Sequence, residues 1–107
     1  MKKIVVKDKY DNKYTLEYTV DTVMQIERAG FRLDDADAKP MTSVKMLFEG
    51  AFLANHKNIK PETVREMLDG MKNKAELIEK LIEMYREPYE TLMDEGDEGN
   101  ATWESNW

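Results

Sequence analysis

Val44, Leu47, Phe48, Ala51 and Phe52 recur at i, i+3, i+4, i+7 and i+8, the spacing that gathers side chains along one side of an α-helix. Three of the five are large, so water strongly disfavours leaving that stripe open. The chain has 107 residues, enough for one domain that buries roughly two-thirds of the surface its unfolded form exposes. Its other segments must therefore offer faces that match this stripe. Thr42 or Ser43 can cap the helix, and His56 falls at its C-terminal end, followed by Lys57 and Asn58.

The flanking segments supply such faces. Lys3 to Lys7 and Lys13 to Thr19 are rich in Val, Tyr and Thr and alternate apolar with polar, most clearly where Tyr14, Leu16 and Tyr18 face away from Lys13, Thr15 and Glu17. The turn-forming cluster Asp8-Lys9-Tyr10-Asp11-Asn12 between them predicts a β-hairpin. A lone hairpin is marginal in water, so it has to pack on the helices that follow. Thr19 or Asp21 can cap a first helix through Val20, Val23, Met24, Ile26 and Ala29. Gly30 then provides a left-handed stop, with Phe31 as the apolar contact just past it. Leu33 to Pro40 is acidic and then broken by proline, which reads as a connector.

Pro61 suits the first position of a third helix bearing Val64, Met67, Leu68 and Met71 on one face, punctuated by Gly70 and Asn73. A longer fourth helix starts near Lys74 and carries Leu77, Ile78, Leu81, Ile82, Met84, Tyr85, Tyr89, Leu92 and Met93. Pro88 lies inside it, where it removes a backbone donor and crowds the carbonyl of Met84, so the helix is expected to kink or end there. From Asp94 onward no apolar period remains, and disorder is expected. The expected architecture is mostly α: an N-terminal hairpin on a bundle of about four helices (1–93), then an acidic tail (94–107).

Charge is distributed unevenly. The formal net charge is −6. The tail holds Asp94, Glu95, Asp97, Glu98 and Glu104 with no Lys or Arg, which leaves 17 acids against 16 bases in the body. No basic stripe is visible, so a nucleic-acid partner is not expected. Cysteine is absent, which rules out disulfides and thiolate chemistry. No run approaches the roughly 20 apolar residues of a membrane span, and the apolar run after Lys2-Lys3 is too short for a signal peptide.

Catalytic and metal-binding readings find little support. His56 is the sole histidine and has no assignable nucleophile, second titrating group or ligand partner, so a capping or dipole role at a helix end is the better reading. Asp34, Asp35 and Asp37 imitate the start of a calcium loop, but the second Asp breaks the alternation, and Lys39 and Pro40 follow where glycine and further ligands belong. The glycines show no phosphate-loop spacing. No cofactor and no enzymatic activity are expected.

Two features point to protein binding. Met84, Tyr85, Tyr89, Leu92 and Met93 exceed what one stripe of a small domain needs, and flexible thioethers suit adaptable surfaces. Trp103 and Trp107 sit in an acidic, otherwise polar tail. They fold back onto the domain, dock elsewhere as anchors, or are simply the end of a reading frame.

The segments TVMQIERAGF (Thr22 to Phe31), MLFEGAFLANH (Met46 to His56) and LIEMYREPYETL (Leu81 to Leu92), in that order behind a hairpin and ahead of an acidic tail, resemble tail assembly chaperones of long-tailed (siphovirus-type) phages and prophages of Gram-positive bacteria. The resemblance spans essentially the whole chain. It implies a non-catalytic protein of the host cell cytoplasm that binds the tape measure protein, keeps it soluble, helps tail tube protein polymerise around it, and is absent from the mature virion. It also implies possible homo-oligomers and, in many members, a longer frameshifted form that diverges near the tail. It transfers no catalytic, metal or cofactor residue. The competing reading, suggested by the acidic tail and a sequence pI near 4.8, is a small acidic regulatory protein such as an anti-repressor or a DNA-mimicking inhibitor. The electrically balanced body argues against it, because a mimic should spread its negative charge over a folded face.

Overall fold

The computed structural model describes residues 2–36, 38–93 and 101–107. In chain order the elements are β1 (Ile4–Lys7), β2 (Lys13–Leu16), α1 (Val20–Arg28), a 3₁₀ turn (Leu33–Ala36), α2 (Pro40–Gly50), α3 (Pro61–Gly70) and α4 (Lys74–Leu92). The fold is mostly helical with an N-terminal antiparallel hairpin, as the periodicities predicted.

The hairpin is set by its turn. The Asp8 carboxylate accepts hydrogen bonds from the backbone N–H of Tyr10 and Asn12, both at 2.9 Å, and from the Asn12 side chain at 3.0 Å. These let Asp11 hold a left-handed φ of 67°, a conformation Asp tolerates better than most residues. The register pairs Ile4 with Leu16, Val5 with Thr15, Val6 with Tyr14 and Lys7 with Lys13. Val6 and Leu16 thereby share the buried face.

Helix α1 begins in a reciprocal capping box. The Thr19 side chain accepts from the Thr22 N–H, and the Thr22 hydroxyl accepts from the Thr19 N–H. Of the two caps the sequence allowed, Thr19 is used. At the other end, Gly30 N–H donates to the Glu27 carbonyl and Phe31 N–H to that of Ile26. With Gly30 at φ 104°, this is a Schellman stop. Phe31 is buried, as expected.

Three expectations are corrected. Helix α2 starts at Pro40 rather than behind a Thr42 or Ser43 cap. Proline at the first helical position gives up only a donor that has no intrahelical partner, and Ser43 N–H already donates to the Lys39 carbonyl. The helix also closes at Gly50. Ala51 and Phe52 keep their buried places through a run of turns, in which Phe52 N–H reaches Glu49 and Leu53 N–H reaches Gly50. Third, of the kink or end expected at Pro88, the end does not occur: α4 continues to Leu92 with Pro88 buried inside it.

Helix α2 is central, touching α1, α3, α4 and the 3₁₀ turn. It meets α1 tightly at Gly50, where an added Cβ would lie 2.3 Å from Ile26 Cδ1 and 2.6 Å from its Cγ1. The core joins Leu16 and Tyr18 to Val23, Ile26, Leu47, Phe48, Phe52, Val64, Leu81, Met84 and Tyr85. The Tyr18 hydroxyl donates to the Leu47 carbonyl inside it. Burial, then the neighbouring Tyr85, pushes that phenol far above its ordinary pKa, so it stays a neutral donor.

The structure predicts that Gly50→Ala drives α1 and α2 apart and costs about 1–3 kcal/mol, read as a lower denaturant midpoint. The turn adds a pH dependence. Partial desolvation works to raise the Asp8 pKa, but the hydrogen bonds from Asn12, Tyr10 and Tyr14 outweigh it and hold the carboxyl below its ordinary 3.8. A depressed carboxylate contributes stability above its ordinary value and loses it as pH falls through the lowered one. The gap in Tm between the native chain and Asp8→Ala should therefore narrow on acidification below about pH 4.

Candidate protein-binding surface

The expected binding residues on α4 divide into two groups. Met84 and Tyr85 are 2% and 1% exposed, so the structure removes them from the candidate surface. The reason is that α4 is covered on two sides, by α1 and by α2, and needs a wider apolar stripe than a helix with one neighbour. The Tyr85 ring meets Tyr18 and Phe31 edge-on, each at 5.1 Å between centroids. That aromatic cluster joins the end of the hairpin segment, the end of α1 and the middle of α4. Burial, then hydrogen bonding to Tyr89, raises the Tyr85 pKa well above its ordinary value.

One turn further on, the packing runs out. Tyr89 is 40% exposed, Leu92 66% and Met93 79%. Tyr89 still leans on Tyr85, with centroids 5.8 Å apart. It also borders a recess of about 240 Å³ shared with Phe31 and flanked by Glu27, Arg32 and Asp34. The last turn of α4 thus presents a small apolar patch with a charged rim, the composition of an anchor site. Half-exposed Met24 and Val20 add an apolar stretch on α1.

Trp103 and Trp107 lie on a segment, 101–107, without secondary structure, and are almost fully exposed. They do not fold back into the core. Residues 94–100, which carry four of the five acids of the expected disordered tail, lie outside the described residues.

His56 has a role that its place near a helix end did not reveal. Its Nε2 accepts a hydrogen bond from the Thr15 N–H at 3.0 Å, and its ring meets Tyr14 edge-on at 5.1 Å. Beside it, the Asn55 side chain donates to the Thr15 carbonyl at 3.1 Å and to the Glu17 carboxylate at 2.9 Å, while Glu17 N–H donates to the Ala51 carbonyl. The segment after α2 therefore closes the outer edge of β2. The expected capping role is replaced by a hairpin clasp across 41 residues of sequence, which no local signal could have disclosed. Asp34 and Asp35 sit in the 3₁₀ turn, and Asp37 lies outside the described residues. Among the described residues no group of three or more His, Cys, Asp or Glu is placed to hold a metal, and no helix is long and apolar enough to cross a membrane.

Residues 1–107 match the family described as a domain of unknown function, DUF5055. The chain belongs to that family. The DUF5055 match runs through the tail as well as the folded body. No curated protein and no solved structure matches the chain.

The division of α4 predicts opposite outcomes for two substitutions. Tyr85→Ala should cost about 3–5 kcal/mol as a core truncation. Leu92→Ala should stay within about 0.5 kcal/mol, as exposed positions do. Paired denaturant titrations measure both.

Proposed function

We propose that this DUF5055 protein is a phage tail assembly chaperone that binds the tape measure protein, keeps it soluble and promotes assembly of the tail tube around it. The observation that carries the reading is the uncovered last turn of α4, where Tyr89, Leu92 and Met93 are exposed. It lies within and just beyond the segment LIEMYREPYETL (81–92), one of the three that resemble such chaperones.

The physical logic is that of an apolar client. A long helical protein with apolar positions at i, i+3, i+4 and i+7 aggregates unless those positions are covered, and a small apolar patch with a charged rim covers them reversibly. Thioether and tyrosine side chains suit this work, because they adapt to imperfectly repeated anchors. No step of such a function requires a nucleophile, a metal or a cofactor. On this reading the protein works in the host cytoplasm and leaves before the virion is complete.

The rival reading, a small acidic inhibitor, places the binding determinant in residues 94–107. Deleting that segment separates the two: an inhibitor loses its target, whereas a chaperone that works through α4 keeps most of its client binding. The direct test is co-expression with the tape measure protein encoded nearby. The native chain should move the client into the soluble fraction, and Leu92→Asp with Met93→Asp should reverse that while leaving the chaperone's own Tm within a few degrees. Client solubility that does not respond to the native chain would overturn the reading.

A further inference from the structure

The hairpin has two edges, and only one is closed. Thr15 turns its N–H and C=O outward, to His56 and Asn55. In an antiparallel ladder, opposed residues alternate between pairs that bond each other and pairs that point away. Asp8 N–H donates to the Asn12 carbonyl at 3.0 Å, so the bonded pairs further along are Val6 with Tyr14 and Ile4 with Leu16. Thr15 and its partner Val5 fall between them. Val5 leaves its groups on the free edge of β1. Thr15 has no strand beyond it, and its N–H rests on one acceptor, the His56 Nε2 at 3.0 Å.

An imidazole nitrogen accepts a hydrogen bond only while it carries no proton. Acceptance at Nε2 therefore places the ring's proton on Nδ1 and requires the neutral form. Once the ring is charged, both nitrogens are donors, and no rotation gives Thr15 its acceptor back. The ring is half-buried, within reach of solvent. It stands edge-on to Tyr14 at 5.1 Å and to Phe52 at 6.3 Å, and it makes no ion pair among the described residues. The charged groups on the segments around it are Lys13 and Glu17 beside Thr15, Asp8 near the Tyr14 hydroxyl at 3.5 Å, and Lys57 next in the chain. Glu17 is already engaged by Asn55 at 2.9 Å. The two acids draw a charged ring and the two lysines repel it, but neither effect restores the lost lone pair.

We propose that His56 is a proton-operated latch on the hairpin: protonation of its ring opens the outer edge of β2 at Thr15. The clasp is complete at a pH where imidazole is neutral and is lost as pH falls below about 6.5, the ordinary midpoint of a histidine. The opening is local, because the other members of the clasp do not titrate with it. Glu17 N–H still reaches the Ala51 carbonyl, and Leu16 and Tyr18 remain buried. Loosening therefore spreads from Thr15 towards the turn. That turn carries Lys7, Asp8 and Tyr10, one wall of a cleft of about 810 Å³ whose other wall includes Met67, Gly70 and Met71 of α3, so the latch also sets how firmly that wall is held. The latch lies apart from the α4 patch and does not rest on the function proposed above.

His56 is the chain's sole histidine, so one set of imidazole signals in an NMR spectrum follows its protonation. In the full-length protein, amide hydrogen exchange at Thr15 and Glu17 is measured from about pH 8 to about pH 5, across the range in which imidazoles titrate. Each rate is divided by the intrinsic rate at that pH. The expected result is the Nδ1–H tautomer at the upper end, then a loss of Thr15 protection that tracks the imidazole signal. The loss should be about tenfold, the effect of one hydrogen bond whose donor is left unpaired. Glu17, bonded to Ala51, should keep its protection. His56→Gln offers an amide oxygen that accepts without titrating, and it should flatten the Thr15 profile. If that variant does not fold by circular dichroism, the two profiles of the native chain decide alone. Thr15 protection that stays constant while the ring titrates overturns the inference, as does a proton on Nε2 at the upper end. So does an equal loss at Glu17, which marks general loosening in acid. The native profile persisting in folded His56→Gln also overturns it, because another group then carries the proton.

Discussion

A two-stranded hairpin has too little buried surface to stand alone, and here its survival depends on the clasp that the segment after α2 places along β2. The Thr15 and Glu17 backbones are met by His56, Asn55 and Ala51, so the sheet gains a third line of hydrogen bonds without a third strand. That clasp brings Leu16 and Tyr18 over α2, where the Tyr18 hydroxyl finds the Leu47 carbonyl. The helices in turn receive the apolar cover that the α2 stripe demands. Take the clasp away, and the hairpin, the core beneath it and the free edge of β1 all lose their definition.

The second organising contact is the approach of α1 to α2 at Gly50. Only a residue without a Cβ lets Ile26 lie where it does, and the resulting proximity places the end of α1 against α4. Tyr85 then gathers Tyr18 and Phe31. This cluster marks the division of α4: Leu81, Met84 and Tyr85 are buried, whereas Tyr89, one turn on, still leans on Tyr85 but is 40% exposed. The residues beyond it, Leu92 and Met93, are covered by no element among the described residues. The exposed apolar patch on α4 is thus what remains of a long amphipathic helix once the body has taken the part it can cover.

The molecule carries two apolar features at separate places, the last turn of α4 and the cleft beside β1, together with a tail whose tryptophans are exposed. The α4 patch is rimmed by Glu27, Arg32 and Asp34, and the cleft by Lys7, Lys9 and Lys72 together with Asp8, Glu66 and Asp69.

Much of the fold was legible because it rests on local physics. The 3.6-residue stripes, the alternation in the strands, the Thr19 cap, the Gly30 stop with Phe31, and the break at Gly70 and Asn73 all involve residues within a few positions of each other, and the structure holds them where periodicity and turn chemistry put them. The sequence alone also located the acidic charge in the tail and excluded thiol chemistry. Tertiary structure decided the rest, since it depends on which segments meet. His56 reads as a helix-end residue until Thr15, far away in the chain, is seen to donate to it. Met84 and Tyr85 read as surplus apolar surface until α1 and α2 are both found against α4. Pro88 reads as a kink or an end until the helix is seen to run through it to Leu92. Pattern gives the identity of each face; only the packing of distant elements tells which faces are spent inside and which are left for a partner.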